Sequence, residues 1–291
     1  MLSQTIAIVV LKCNKMKRLL PIIVLLIGIS CSKPKPEGVI LKLKYQPESK
    51  YLISTIRGTE TVMTYSGQEI AMKKLKSMNI KNPTITKVNT KTETEVVTGK
   101  VLKDLSYPIS LTYKKTNNLD GGNEVPEKTI VFGTIKNGQI PTFHTIASDI
   151  LDFDQKTQLM QIVRNSYEQF EFPAKRLKIG EQFSMDHTIS IPMEGSVIET
   201  VITSTYKLVG SKNGIAQFKI SQSYKMSPKM MDNSFQGTGD GNGSITYNLK
   251  DSLIVAYSLQ TSLEMKKKLD YFEFDLKTSN DFSQTTKIIK D

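Results

Sequence analysis

From Ile215 to Met226 the chain reads IAQFKISQSYKM, which puts Ala216, Phe218, Ile220, Tyr224 and Met226 on one parity and Gln217, Lys219, Ser221, Ser223 and Lys225 on the other. An extended backbone turns successive side chains to opposite faces, so this alternation predicts a strand with one dry and one wet side. The pattern recurs through Leu253, Val255, Tyr257, Leu259, Thr261, Leu263 and Met265. It returns where Phe272, Phe274 and Leu276 alternate with Tyr271, Glu273, Asp275 and Lys277. One-sided strands belong to antiparallel sheets with one face in water. Strands of about a dozen residues, against a usual five or six, call for a curved sheet or half-barrel. The predicted fold class is therefore mainly β, with long, curved antiparallel sheet or sheets.

One segment departs from the period of two. Leu159, Ile162, Val163, Tyr167 and Phe170 recur at helical spacing, which predicts a central helix over about 154–170, with Asp152 or Asp154 as its cap and Phe172-Pro173 ending it. The stretch GQEIAMKKLKSMNI (67–80) fits a short helix or a strand equally.

The helix separates two similar halves. Residues 92–114 align without gaps on 203–225, identical at seven of 23 positions, among them Gly99/Gly210, Ile109/Ile220, Ser110/Ser221, Tyr113/Tyr224 and Lys114/Lys225. The same alignment sets Tyr107 against Phe218 and Val97 against Leu208. Each half continues into an Asp-Gly segment, LDGGN (119–123) and GDGNG (239–243), read as flexible loops, and then a hairpin-like unit. The constant offset implies a duplicated β-module. The expected organisation is a signal segment (1–30), a modified cysteine with its tether (31–38), a first β-module (39–145), a connecting helix (146–173) and a second β-module (174–291).

The amino-terminal part carries its own logic. From Met16 the sequence runs MKRLLPIIVLLIGISC: two basic residues, an apolar run from Leu19 to Ile29, then small residues before Cys31. The run is shorter than the ~20 residues a spanning helix needs, so it reads as a secretory signal, residues 1–15 being either an extended basic region or a stretch upstream of a true start at Met16. Gly28-Ile29-Ser30-Cys31 resembles the lipobox of bacterial lipoproteins. The resemblance implies cleavage before Cys31, a diacylglycerol thioether on its sulfur and an acylated amine. A thiolate is the side chain nucleophilic enough for that alkylation. SKPKPEG (32–38) would then be an extended tether. Ser32 after the modified cysteine implies the outer membrane, facing the periplasm.

A wider resemblance rests on Gly180, Glu181 and Phe183 at a strand start and on Gly239, Gly241 and Gly243 late in the chain. These are similar to features of a family of bacterial envelope lipoproteins with β-rich bodies and no assigned activity. A more distant likeness, of fold alone, is to the LolA/LolB-like lipoprotein carriers, whose cup holds acyl chains.

Chemistry is constrained by what the chain carries. The formal charge is +11, but Lys12, Lys15, Lys17 and Arg18 supply four of it before Cys31. Downstream lysines are interspersed with acids, not gathered with aromatic residues, so no nucleic-acid surface is expected. There are two histidines and two cysteines, Cys13 lying before Met16 and Cys31 at the lipobox-like site. No metalloprotease, nucleophile-elbow or phosphate-loop motif is present, and no enzymatic activity, catalytic residue or cofactor is expected. Ser204 and Lys207 fit SxxK, but residues three apart on a strand point oppositely. His187, on the apolar parity with Phe183, Met185, Ile189 and Ile191, is expected to be a satisfied core histidine. With Met185, Met193, Met226, Met230 and Met231 it makes a weak soft-metal alternative. His144 is expected in a loop or at the helix entry. Tyr206, Phe218, Ile220, Tyr257 and Leu259 are the expected lining for an apolar or acyl-bearing envelope ligand. The alternative is an accessory subunit that holds a protein partner.

Overall fold

Long stretches of alternating apolar and polar side chains pair readily with one another, and here eleven strands do so. The computed structural model describes residues 38–118, 125–136, 138–193, 196–228, 235–268 and 271–289. Its main sheet is antiparallel, in the order β6-β5-β4-β3-β2-β13-β12-β11-β10-β9-β8, and is not closed into a barrel. The strands are β2 (Lys50–Gly67), β3 (Thr84–Thr98), β4 (Ser106–Asn118), β5 (Ile130–Lys136), β6 (Thr142–Ala147), β8 (Gln182–Met193), β9 (Ser196–Lys212), β10 (Ile215–Pro228), β11 (Phe235–Asn248), β12 (Leu253–Lys268) and β13 (Phe272–Ile289). Two short strands, β1 (Val39–Ile40) and β7 (Arg176–Leu177), pair separately.

The order contains two meanders that run the same way, β2 to β6 and β8 to β12, with β13 set between β2 and β12. Each meander is preceded by one of the two short strands. Each enters its first long strand through a left-handed residue, Glu48 (φ 50°) or Gly180 (φ 94°). The amide of Glu48 donates to the Gly99 carbonyl at 3.1 Å, and that of Gly180 to the Leu208 carbonyl at 2.7 Å. Aligned residues Ile109 and Ile220 are both buried. Val97, aligned with Leu208, is 38% exposed whereas Leu208 is buried. The pairing of β9 with β10 skips Val209, and a one-residue bulge reverses the facing of what precedes it.

The helix expected over 154–170 is α2 (Phe153–Glu168). Its cap is Asp152: the carboxylate accepts from the Gln155 amide at 2.8 Å, while the Gln155 side chain accepts from the Asp152 amide at 3.0 Å. Leu159 and Val163 are buried, but Ile162 is 62% exposed and takes no part in the packing face. The ambiguous segment contains α1 (Glu69–Ser77), which buries none of its residues.

GDGNG is not a loop. Residues 239–243 lie in the middle of β11, and Gly237, Gly239, Gly241 and Gly243 take four successive positions on the sheet face shared with Ile245 and Tyr247. The physical reason is close approach. A Cβ on Gly239 would stand 2.5 Å from the Ser262 carbonyl oxygen, and one on Gly243 would meet the Ser258 carbonyl oxygen. The glycines let β12 fold tightly against β11 and curve the sheet there. The matching segment 119–123 lies outside the described residues.

The core occupies one end of one face. Under α2 it comprises Leu43, Tyr45, Tyr51, Val96, Ile109, Val131 and Phe143 with Leu159 and Val163. Its second part is Phe183, Tyr206, Leu208, Phe218, Ile245 and Tyr247, packed against Val39, Leu41 and Leu177. The segment 39–45 thus crosses both halves. The opposite face is a ladder of polar pairs: Lys87 with Glu60 at 3.0 Å, Lys277 with Glu264 at 3.0 Å, Lys266 with Asp275 at 3.4 Å. Each pair is directly opposed across two strands. The buried apolar residues of the sheet lie on the inner face, while Ile56, Ile85, Val97 and Phe132 are exposed on the outer one.

Candidate functional site

The strand register sorts the inner face into rows that run across the strands. The lowest rows hold the core. Above them lies a polar belt, in direct cross-strand order Thr59, Asn280, Thr261, Gly241, Gln222 and Ser204. Its members satisfy one another. Thr59 Oγ1 donates to Asn280 Oδ1 at 2.8 Å, Asn280 Nδ2 to Thr261 Oγ1 at 3.1 Å, and Gln222 Nε2 to Ser204 Oγ at 2.9 Å. Tyr224 donates to Gln222 Oε1 at 2.5 Å. Gln222 and Ser204 are buried, so these bonds offset a desolvation cost of about 1–3 kcal/mol per group left unpaired.

Above the belt the face turns apolar again. One row reads Met63, Leu276, Met265, Gly237 and Met226, and the row beneath it contributes Leu263. Met226, Leu263 and Met265 touch, although Met226 is on β10 and the others are on β12. Side chains two strands apart meet because β11 has no side chain between them: a Cβ on Gly237 would stand 2.7 Å from Met226 Sδ. The result is an apolar trough with a glycine floor, which these flexible side chains fill. Met63, Leu263, Met265, Phe274 and Leu276 are half-buried. Of the two helices, α2 packs on β6 and α1 on β2.

The five residues expected to line a ligand surface share this inner face but stand below the belt. Tyr206, Phe218, Ile220 and Tyr257 are buried. Phe172 meets Tyr206 edge-on at 5.1 Å and Phe170 meets Tyr257 at 5.8 Å, while Leu259 packs into the same cluster. That half of the face is filled by the chain's own aromatic residues and is core. Burial raises the Tyr257 hydroxyl pKa well above its usual value and pushes that of Tyr224 up to about 12. Sequence alternation identified the face but not its division, because the belt residues Thr261 and Gln222 keep the same parity as their apolar neighbours.

His187 is on the inner face of β8, opposite Ile202. It is not the satisfied core histidine expected, since its Nε2 is buried without a hydrogen-bond partner. Met185 follows the same parity two residues away. The side chain of Met193, together with Met230 and Met231, lies outside the described residues. No cluster of three or more His, Cys, Asp or Glu suited to a metal occurs among the described residues. His144 is on β6, not in a loop, and its ring nitrogen is 3.3 Å from Thr134 Oγ1. Ser204 is buried and Lys207 exposed, on opposite faces.

Two open grooves lie away from the trough. One, of about 660 Å³, runs between β6 and α2 past His144, Lys156 and Arg164; the Arg164 guanidinium is held by the Phe143 carbonyl at 2.8 and 3.1 Å. The other, of about 720 Å³, is bordered by Glu48, Lys50, Val97 and Ile288. No helix among the described residues is long and apolar enough to cross a membrane. Cys31 and its tether lie outside the described residues.

No family model matches this chain, and no curated protein matches it. Among solved structures it is similar to one reported under the words asymmetric conductivity of engineered proteins, at 8% identity and TM-score 0.23, covering 81% of this chain and 100% of that one. It is also similar to OpdL of Pseudomonas aeruginosa, at 5% identity and TM-score 0.23, covering 83% and 99%. OccK11 (OpdR) of the same organism follows at 6% identity and TM-score 0.22, covering 85% and 100%. Likenesses this slight identify no family.

Proposed function

We propose that this chain is a lipid-anchored bacterial envelope protein that holds an apolar or acyl-bearing ligand and catalyses no reaction on it. The observation that carries this reading is the methionine-covered trough above the polar belt. It is an apolar row on the inner face, separated from the packed core and shielded by side chains that can move aside. Methionine suits that task because its unbranched thioether chain repacks around occupants of different shape. From β10 to β2 the row crosses four inter-strand spacings of about 4.8 Å, roughly 19 Å, a span in which an extended acyl chain can lie.

The anchor is the diacylglycerol on Cys31, in the outer membrane and facing the periplasm, with 32–38 as the tether. Two or three acyl chains, at ~0.8 kcal/mol per buried CH₂, hold such a protein stably on a bilayer. The matching meanders and their matching left-handed entries support a duplicated module.

The test is lipid analysis of the gently purified, processed protein by mass spectrometry, together with fractionation of Cys31→Ser. The reading expects acyl-bearing species in stoichiometric amount and release of Cys31→Ser from the membrane fraction. A lipid-free protein that takes up no added acyl compound would refute the binding role, and a Cys31→Ser variant still firmly bound to membranes would refute the anchor. A second reading, an accessory subunit, is favoured by β8, a strand of 12 residues that pairs on one side only among the described residues. Stable cross-linking to one protein partner through β8 would support it.

A further inference from the structure

We infer that the trough ends in a polar subsite, built by Thr200 and His187, that receives the acyl oxygen of the ligand; this rests on the binding role proposed above. Thr200 is opposite Met226, which covers the trough, so the two side chains are neighbours on the inner face. Its side chain is 1% exposed, yet its hydroxyl has no hydrogen-bond partner. On the next strand His187 is opposite Ile202, one inner-face step from Thr200, and its Nε2 is likewise buried and unpartnered.

Orphaned polar atoms are uncommon in folded proteins, and each costs about 1–3 kcal/mol. Two of them stand as diagonal neighbours at the end of the apolar trough, with hydrogen-bonding capacity that the protein's own groups leave unused. The polar groups nearby are already engaged: Ser204 accepts from Gln222, and Tyr224 donates to Gln222. Neither completes the Thr200 and His187 pair. A hydroxyl and an imidazole in its Nε2–H tautomer are two neutral donors, which suit an acyl carbonyl or carboxylate oxygen. With the Met226 and Leu263 side chains swung off the glycines they cover, the chain of that acyl group would run from Thr200 over Gly237 and Gly239 toward Leu276 and Met63. The polar end is thereby fixed at β8–β9 and the tail at β2.

The experiment uses the processed full-length protein and three probes. N-phenyl-1-naphthylamine, which is apolar and has no acyl oxygen, reports trough occupancy by fluorescence. Dodecanoate and glycerol monododecanoate compete with it, and together they separate a free carboxylate from an ester carbonyl. The variants are Thr200→Val and His187→Phe, with Thr200→Ser retaining the hydroxyl. The expected result is naphthylamine binding within about twofold of wild type in all three. Competition by dodecanoate, by the ester or by both weakens about tenfold in Thr200→Val and His187→Phe but not in Thr200→Ser, as for loss of one hydrogen bond. Thr200→Val melts no lower than wild type, because the valine removes an unpaired hydroxyl.

Unchanged competition in both apolar variants, with naphthylamine still bound, would overturn the subsite and leave the trough standing. Joint loss of all probes in Thr200→Val would also overturn it, since the threonine would then support the fold. Failure of the wild-type protein to bind any of the three would remove the binding role itself, and the subsite with it.

Discussion

Tyr257 and Met265 stand on the same face of the same strand, yet one is core and the other covers a trough. Around Tyr257 the neighbouring strands present Ile245 and Phe282, and Phe170 closes over the ring. Around Met265 they present Gly237 and Leu276, with Met226 reaching across from β10. The sequence pattern is continuous between these two places, and what changes is the height of the covering segments. Helix α2, Phe172 and the segment 39–45 occupy only the lower end of the face. A β-strand that outruns its cover exposes a second apolar surface, and the belt of Thr59, Asn280, Thr261, Gln222 and Ser204 marks where the cover stops.

Substitutions that separate the two ends should differ most in the core. Phe218→Ala is expected to lower unfolding free energy by about 4 kcal/mol and Met265→Ala by about 1 kcal/mol, measured by chemical denaturation. Equal losses would erase the distinction. Glycines on β11 give the same contrast within one strand. Gly243→Ala meets a backbone carbonyl and is expected to cost about 3 kcal/mol, whereas Gly237→Ala meets only the Met226 side chain, from Cβ to Sδ, and should cost about 1 kcal/mol. Loss of acyl binding in Gly237→Ala without loss of stability would sharpen the comparison further.

The packed end should also govern the alkaline limb. Burial raises the hydroxyls of Tyr45 and Tyr113 to about 12 from the usual value of 10.0, with the Tyr167 hydroxyl partly opposing this at Tyr45. The folded state keeps these protons while the unfolded chain releases them above about pH 10, so stability is full below pH 10 and declines as the pH rises toward 12. Tyrosinate absorbance that appears with unfolding, and not before it, would bear this out. A local effect is expected from Asp152→Ala, which removes the α2 cap and costs about 1 kcal/mol in the segment that closes the core.

Much of this arrangement was legible from residues alone. Alternation gave the strands and their inner parity, and helical spacing with an aspartate start gave α2. Three parts were not. The glycines of β11 read as a loop because their function is to admit the neighbouring backbone, a tertiary contact with no local signature. Ile162 satisfied the helical period but faces outward, since α2 covers only a narrow strip of the sheet. Most consequentially, Tyr206, Phe218, Ile220, Tyr257 and Leu259 were read as an open lining. Nothing in a strand's own pattern tells whether Phe170 and Phe172, many residues away, will lie across it.

The methionine methyl groups test the two-ended face most directly. In the processed protein labelled with ¹³C-methyl methionine, resonances assigned by substitution can be followed as dodecanoate is added. The account predicts shifts at Met63, Met226 and Met265, above the belt, and none at Met160, a residue of α2 that packs against the core. Shifts at Met160 with silence from the other three, or no shift at any of them under saturating dodecanoate, would contradict it.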